Sequence, residues 1–455
     1  MCGIVGYVGG RPVQEILLAG LRKLEYRGYD SAGISLIQSD GPGGALEIHS
    51  VRAVGNLDKL HEAVAALVAP SGGVAVAVRP ATTGIGHTRW ATHGRVTEEN
   101  AHPHFDTTNR VHVVVNGIVE NYMELKQRLR AAGSEFTSET DAEVIAHLIA
   151  HHYDGDLVTA VRLAYAELEG HYAFVAMSLA EPDLLVGARK ECPLIVGCGE
   201  REQFIASAVP AFLRHTRRVL YVENGEIAVL RPDGVELMTA GGLAVDRAIE
   251  ELDWDEETAE KSGFETFMEK EIHEQADAVA ETIFDRTTGG RVDLDDVGAL
   301  DEAILAGARR IVIVACGTSY HAGLIGRYAI EEWARLPVEM DIASEYRYRN
   351  PVVGPGDLVI GISQSGETAD TLAAMRLARE RGAKVLAITN AMGSQATRDA
   401  DGVLFTRAGL EIGVAATKTF VCQVAVMYLL GLRMAELRGT LEPGRLTELV
   451  ADLKR

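Results

Sequence analysis

The sequence predicts an α+β sandwich followed by a doubly wound parallel α/β sheet, and three observations predict it. Short β-rich runs cluster, with few helices between them, up to about residue 245. After about residue 300, continuous apolar runs alternate with helix-length stretches, the pattern of parallel strands buried on both faces. Between them, Glu250-Glu251-Leu252-Asp253-Trp254-Asp255-Glu256-Glu257 is an acidic run too polar to build a core. These divisions place a first domain at 1–245, an acidic linker and junction at 246–295, and a second domain at 296–455.

In the first domain, Ile4 to Val8 reads as a buried strand, and Val111 to Val115 as a strong one ending at the turn dipeptide Asn116-Gly117. A helix is expected over Tyr122–Ala132, with Leu125, Leu129 and Ala132 on one face. Thr140-Asp141-Ala142-Glu143 reads as a second helix start, with Val144, Ile145 and Leu148 as its apolar stripe. Tyr172 to Leu179 and Ile205-Ala206-Ser207 add strands, and Ser71-Gly72-Gly73 reads as a loop before a strand over Val74–Val78. In the second domain, strands are expected at Ile311–Ala315, Leu358–Ile362 and Val385–Thr389. Helices follow at Tyr320–Trp333 and Thr368–Arg381.

At 455 residues, 47% hydrophobic and 24% charged, the chain has ordinary globular composition. A formal net charge of −21 argues against a nucleic-acid partner, which needs clustered Lys and Arg. Five scattered cysteines (Cys2, Cys192, Cys198, Cys316, Cys422) form no C-x-x-C pair, so a disulfide framework is not expected and a reducing cytoplasm is. No signal peptide is read at the N-terminus. The longest apolar run, Phe420 to Leu432, is short for a bilayer and contains Gln423, so no membrane partner is expected.

The chemistry begins at Cys2. Removal of Met1 would leave one residue carrying a thiol and a free α-amine. An α-amine titrates near ~8, so at neutral pH part of it can take the thiol's proton. The bland reading is a small apolar cysteine opening a buried strand. His87-Thr88-Arg89-Trp90-Ala91-Thr92-His93-Gly94 places an arginine suited to clamping a carboxylate beside two histidines. Asp141 is suited to holding an α-ammonium, and Asn116-Gly117 offers the parts of an oxyanion hole. Taken singly, each has a plainer reading: Arg89 as a surface ion pair, Asp141 as an N-cap, Asn116-Gly117 as a type I′ turn. The pairs His87/His93 and His102/His104 lack partners at zinc-like spacing, so no metal is expected.

Cys2-Gly3-Ile4-Val5-Gly6, Tyr26-Arg27-Gly28-Tyr29-Asp30-Ser31-Ala32-Gly33, His87 to Gly94 and Asn116-Gly117 together resemble the N-terminal-nucleophile (class II) glutamine amidotransferases over about residues 2 to 240. The resemblance implies an αββα domain in which the Cys2 thiolate attacks L-glutamine, releasing ammonia through a thioester that water hydrolyses. It implies that Asn116 and Gly117 stabilise the oxyanion, and that Arg89 and Asp141 hold the glutamine head group. Trp90, Thr92 and His93 would line the pocket, with Trp90 at the mouth of an ammonia channel.

In the second domain, Cys316-Gly317-Thr318-Ser319 and Ser363-Gln364-Ser365-Gly366-Glu367-Thr368 each follow a strand and open a helix. Such turns put N–H groups and hydroxyls around an anion at the carboxyl ends of parallel strands. Neither ends in Gly-Lys-Ser/Thr, so ATP is not indicated, and ordinary β-α turns are the plain alternative. Cys316 reads as a buried small residue. The two loops resemble those of the sugar isomerase (SIS) domain. The segments Asp253-Trp254-Asp255, Phe264 to Gln275 and Glu411 to Lys418 resemble amidotransferases whose ammonia acceptor is fructose 6-phosphate. The resemblance implies phosphosugar contacts from Thr318, Ser319, Ser363, Gln364, Ser365 and Thr368, with Val414 near the sugar. It implies no cofactor, glucosamine 6-phosphate as product, and a homodimer joined through the isomerase half.

That family carries a second SIS domain and a tail with a lysine, a glutamate and a histidine for the isomerase step. Nothing between Phe420 and Arg455 repeats the strand-to-Ser/Thr-loop pattern, and the chain ends inside a helix pattern at Lys454-Arg455. The expectation from sequence is therefore glutaminase activity without complete synthesis. The alternative is a phosphosugar-binding or regulatory protein with an inert amidohydrolase half.

Overall fold

The computed structural model describes residues 2–39, 44–68, 80–91, 93–252, 263–294, 302–413 and 415–455. The expected loop and strand over residues 71–78, Asp253-Trp254-Asp255, Thr92 and Val414 lie outside the described residues. The chain forms two compact units, Met1–Glu256 and Glu257–Arg455.

The first unit holds two antiparallel sheets. In the eight-stranded sheet the order is Glu250–Glu251, Arg218–Tyr221, Ile195–Cys198, Gln203–Ala206, Gly3–Val8, Thr83–Arg89, Ser31–Ser39, Leu46–Val54. In the seven-stranded sheet it is Ala244–Val245, Gly234–Thr239, Glu226–Arg231, Glu181–Lys190, Gly170–Ser178, Val111–Val119, His104–Phe105. Strand alternation explains the layering. Ile4 and Val8 face the second sheet and pack with Val114, Val175 and Leu185, whereas Val5 and Tyr7 point the other way. There they meet Leu17, Leu21 and Leu24 of the helix Val13–Leu24. On the far side, Val113, Val115 and Phe174 pack under Leu125, Leu129, Val144, Ile145 and Leu148, from helices Tyr122–Ala131 and Glu143–His152. The result is the αββα sandwich.

The second unit is a five-stranded parallel sheet in the order Val338–Ile342, Arg310–Ala315, Asp357–Ile362, Lys384–Thr389, Gly402–Phe405. Ile311, Ile313 and Ile360 pack with Ile330, Val426 and Leu430 on one face. Val312, Val314 and Val359 pack with Leu372, Met375 and Ala378 on the other. Both faces are covered, which is why these strands read as unbroken apolar runs.

Five sequence expectations need correction. Val111–Val119 is one strand, with Asn116 opposite Ala173 and Gly117 opposite Tyr172, so Asn116-Gly117 is not a turn. The ladder continues because Gly117, at φ +100°, bends the backbone without a side chain; a Cβ there would meet His171 O at 2.0 Å. The first SIS helix is Gly317–Trp333, so Thr318 and Ser319 sit in its first turn rather than in a preceding loop. The N-cap of Glu143–His152 is Ala142, without a side-chain cap, so Asp141 is not the cap. The stretch 246–295 is divided: Glu250–Glu251 pairs with Arg218–Tyr221, while Ala278, Ile283, Val292 and Leu294 join the second unit's core clusters. The run Phe420–Leu432 lies in a 21-residue helix, Lys418–Arg438, long and apolar enough to cross a membrane. Cys422, Val426, Leu429 and Leu430 on it are buried, so it serves as a core helix of this unit.

Candidate active site

Cys2 lies just before the central strand Gly3–Val8, whose pairing with Thr83–Arg89 sets Gly3 opposite Thr88 and brings Trp90 beside the thiol. The Trp90 N–H donates to Cys2 Sγ at 3.2 Å, and the thiol lies 3.5 Å from Trp90 O. The Cys2 carbonyl accepts from Asn116 Nδ2 at 3.0 Å and from Arg27 Nε at 3.1 Å. Burial pushes the Cys2 thiol up, opposed by the Trp90 N–H, the amino terminus, Arg89 and Arg27. A positive, donor-rich pocket thus offsets part of the cost of a buried thiolate. Nearby Cys192 is pushed up to about 11, chiefly by burial, and stays a thiol.

The Arg89 side chain is buried, and its Nη atoms donate to the carbonyls of Arg95 at 3.1 Å, Gly94 at 3.4 Å and His93. It is not a surface ion pair. It shapes the 93–95 loop, and a guanidinium has five donors, enough to also meet a carboxylate. Burial lowers its pKa, with Cys2, Asp30 and Asp141 opposing that. Asp141 is buried too, one oxygen accepting the Val119 N–H at 2.8 Å. The Trp90 ring packs edge-on against Tyr29 at 5.5 Å, and His93 lies 6.3 Å from Tyr122.

Several supporting residues were missed from sequence. Asp30 Oδ2 accepts the Ala91 N–H at 2.8 Å. Asn100 Nδ2 donates to Arg95 O at 3.0 Å and to Glu139 at 3.2 Å, tying down the Arg89 loop. His87 Nε2 sits 3.1 Å from Asn116 Oδ1 and 2.9 Å from Val115 O. Arg27, Asp30 and His87 fall within recognisable motifs and could have been found there. Asn100 and Glu139 carry no local signal.

In the second unit, the parallel pairing Ala315↔Ile362 starts the segments after the two strands, residues 316–319 and 363–368, side by side. From these adjacent strands the chain leaves in opposite directions, to Val338–Ile342 and to Lys384–Thr389, which makes their carboxyl ends a switch point. Ser363 Oγ lies 2.9 Å from Thr368 Oγ1 and accepts the Gly366 N–H at 3.1 Å, and Ser365 Oγ accepts the Glu367 N–H at 3.2 Å. Gln364 O accepts from Asn390 N at 3.1 Å and from Thr389 Oγ1 at 3.3 Å. Helices Gly317–Trp333 and Ala369–Glu380 have no side-chain N-cap, so their first-turn N–H groups remain available to an anion. Residues 412–413 and 417–419 are held by two buried carboxylates. Glu271 accepts from Ile412 N at 2.6 Å and Gly413 N at 2.9 Å. Glu411 accepts from Thr417 N at 2.8 Å and Thr419 N at 3.2 Å.

Residues 87–214 match the glutamine amidotransferase domain family, and residues 304–433 the SIS domain family. The glutamine–fructose-6-phosphate aminotransferase (isomerizing) of Caldanaerobacter subterraneus subsp. tengcongensis is 46% identical over 456 residues, covering 100% of this chain and 72% of its own length. That of Mycobacterium tuberculosis strain H37Rv is 49% identical over 453 residues, covering 97% of this chain and 70% of its own. Among solved structures, the C-terminal domain of the Francisella tularensis glucosamine-fructose-6-phosphate aminotransferase is 39% identical with a TM-score of 0.42, over 43% of this chain and 55% of that one. An amidotransferase unit joined to a SIS unit fits the glutamine-dependent formation of glucosamine 6-phosphate from fructose 6-phosphate. The chain belongs to the glutamine–fructose-6-phosphate aminotransferase (isomerizing) family.

Proposed function

We propose that Cys2, freed of Met1, is the nucleophile that hydrolyses glutamine. The α-amine takes the thiol's proton, and the sulfur attacks the side-chain carboxamide carbon. The tetrahedral oxyanion is received by the Asn116 amide and the Gly117 N–H. Its collapse breaks the C–N bond, the α-ammonium returns the proton to the leaving ammonia, and water hydrolyses the glutamyl thioester. Arg89 and Asp141 hold the glutamine carboxylate and ammonium, with Trp90, Thr92 and His93 lining the pocket. The observation that carries this reading is the fixing of Cys2 itself. Its sulfur takes the Trp90 N–H and its carbonyl the Asn116 amide, so nucleophile and oxyanion donor share one hydrogen bond. Glutamate release is expected to vanish in Cys2→Ala; turnover surviving that change would sink the role given to Cys2.

In the second unit, fructose 6-phosphate is proposed to bind at the switch point. Its phosphate would meet Thr318, Ser319, Ser363, Gln364, Ser365 and Thr368, and its sugar would lie by Val414. The uncapped helix starts and clustered hydroxyls support this reading. A cytoplasmic homodimer is the proposed working form.

A further inference from the structure

We infer that His87 is a positioning residue for glutamine hydrolysis, holding the Asn116 amide through a neutral Nε2–H tautomer so that its N–H groups face Cys2. This rests on the reading of Asn116 as an oxyanion donor. A side-chain amide can occupy two flipped orientations, and its hydrogen-bond partners choose between them. Here Nδ2 donates to the Cys2 carbonyl at 3.0 Å and Oδ1 faces His87 Nε2 at 3.1 Å. The flipped amide would set an oxygen against the Cys2 carbonyl, acceptor against acceptor.

The tautomer follows from the same contacts. His87 Nε2 is approached by two acceptors, Asn116 Oδ1 and Val115 O at 2.9 Å, so this nitrogen carries the hydrogen. On the other side, Nδ1 is buried and has no hydrogen-bond partner among the described residues. A hydrogen placed there would be a buried orphan donor, which costs about 1–3 kcal/mol. The ring is fully buried and stacks on His102 with centroids 4.0 Å apart. Burial pushes its pKa down to about 3, so it is uncharged at working pH. His102 Nδ1 in turn accepts the Val115 N–H at 3.3 Å. Val115 therefore fixes both rings, one through its carbonyl and one through its amide. An oxyanion donor works by being aimed before the reaction starts. His87 supplies that aim without touching substrate.

The test uses the full chain and a glutaminase assay. Asn116→Ala is expected to lower kcat by about 10²–10³-fold, and His87→Phe by about tenfold or more with KM within about twofold. His87→Gln, which keeps an N–H donor, is expected to recover kcat to within about threefold of wild type. The double variant is expected to be no worse than Asn116→Ala alone, because both changes remove one function. Alkylation of Cys2 by iodoacetamide, which forms no oxyanion, is expected to stay within about twofold in His87→Phe and His87→Gln, unlike the outcome of a displaced core. Wild-type kcat in His87→Phe, or losses that multiply in the double variant, would overturn the proposal. Wild-type kcat in Asn116→Ala would overturn the oxyanion reading beneath it. Should His87→Phe not fold, 15N NMR of histidine-labelled wild type decides: a protonated Nε2 at His87 is expected, and a protonated Nδ1 overturns the assignment.

Discussion

Cys2 and Gly117 are held by opposite means. Cys2 is fixed by what it bonds, whereas Gly117 is fixed by what it lacks. At φ +100°, with room for no Cβ before His171 O, Gly117 keeps its strand in register beside Cys2. Gly117→Ala is expected to cost about 1–3 kcal/mol of stability and to lower glutamine turnover, measured by urea unfolding and ammonia release. An unchanged unfolding midpoint would refute the account of the backbone. At this scale the sequence was informative where chemistry is written in short motifs. Cys2, Arg89 and Asn116 stand in them and meet in space. Asn100 and Glu139, which brace the Arg89 loop, lie 39 residues apart in sequence and only tertiary contact pairs them. The hold of Arg89 on the His93, Gly94 and Arg95 carbonyls was not legible, since it depends on how the loop closes.

Elements show a different pattern. The apolar runs at Ile311–Ala315 and Leu358–Ile362 were legible because burial on both faces leaves no polar alternation to confuse them. Strand Val111–Val119 was cut short in the reading, because Asn-Gly is a local turn signal and the ladder to Gly170–Ser178 that overrides it is not local. Helix Gly317–Trp333 starts early for a related reason: Gly317, at φ +57°, turns the chain at once after the extended Cys316. The buried histidines of strands Thr83–Arg89, His104–Phe105 and Val111–Val119, with His102 beside them, give a prediction on pH. Burial lowers all four pKa values: His87 and His104 to about 3, His112 to about 4, and His102 well below its ordinary range. The unfolded chain therefore binds more protons than the folded one once pH falls below about 6.5, and stability falls with pH there. Each histidine adds up to about 1.4 kcal/mol per pH unit until pH nears its folded value. The first unit's urea midpoint is expected to drop steadily from pH 7 to 5, and a flat profile would contradict it.

At the scale of the whole molecule, each unit has its own core, which predicts separate responses to ligand. Calorimetry is expected to resolve two transitions, of which only one moves with fructose 6-phosphate, by about 2.7 kcal/mol at a hundredfold excess over Kd. A single transition shifted as a whole would mean the units unfold together. The two-part organisation was legible because the parts differ in periodicity. The boundary was not, since the acidic run that reads as a linker gives Glu250–Glu251 to the first unit's sheet. The way Cys2 is tethered also bears on timing. Among the described residues, the hydrogen bonds that fix it run through its sulfur and its carbonyl oxygen, atoms that an aminopeptidase leaves alone. On the proposed reading, these contacts can form equally well before and after Met1 is removed, whereas the α-amine that would take the thiol's proton exists only after it.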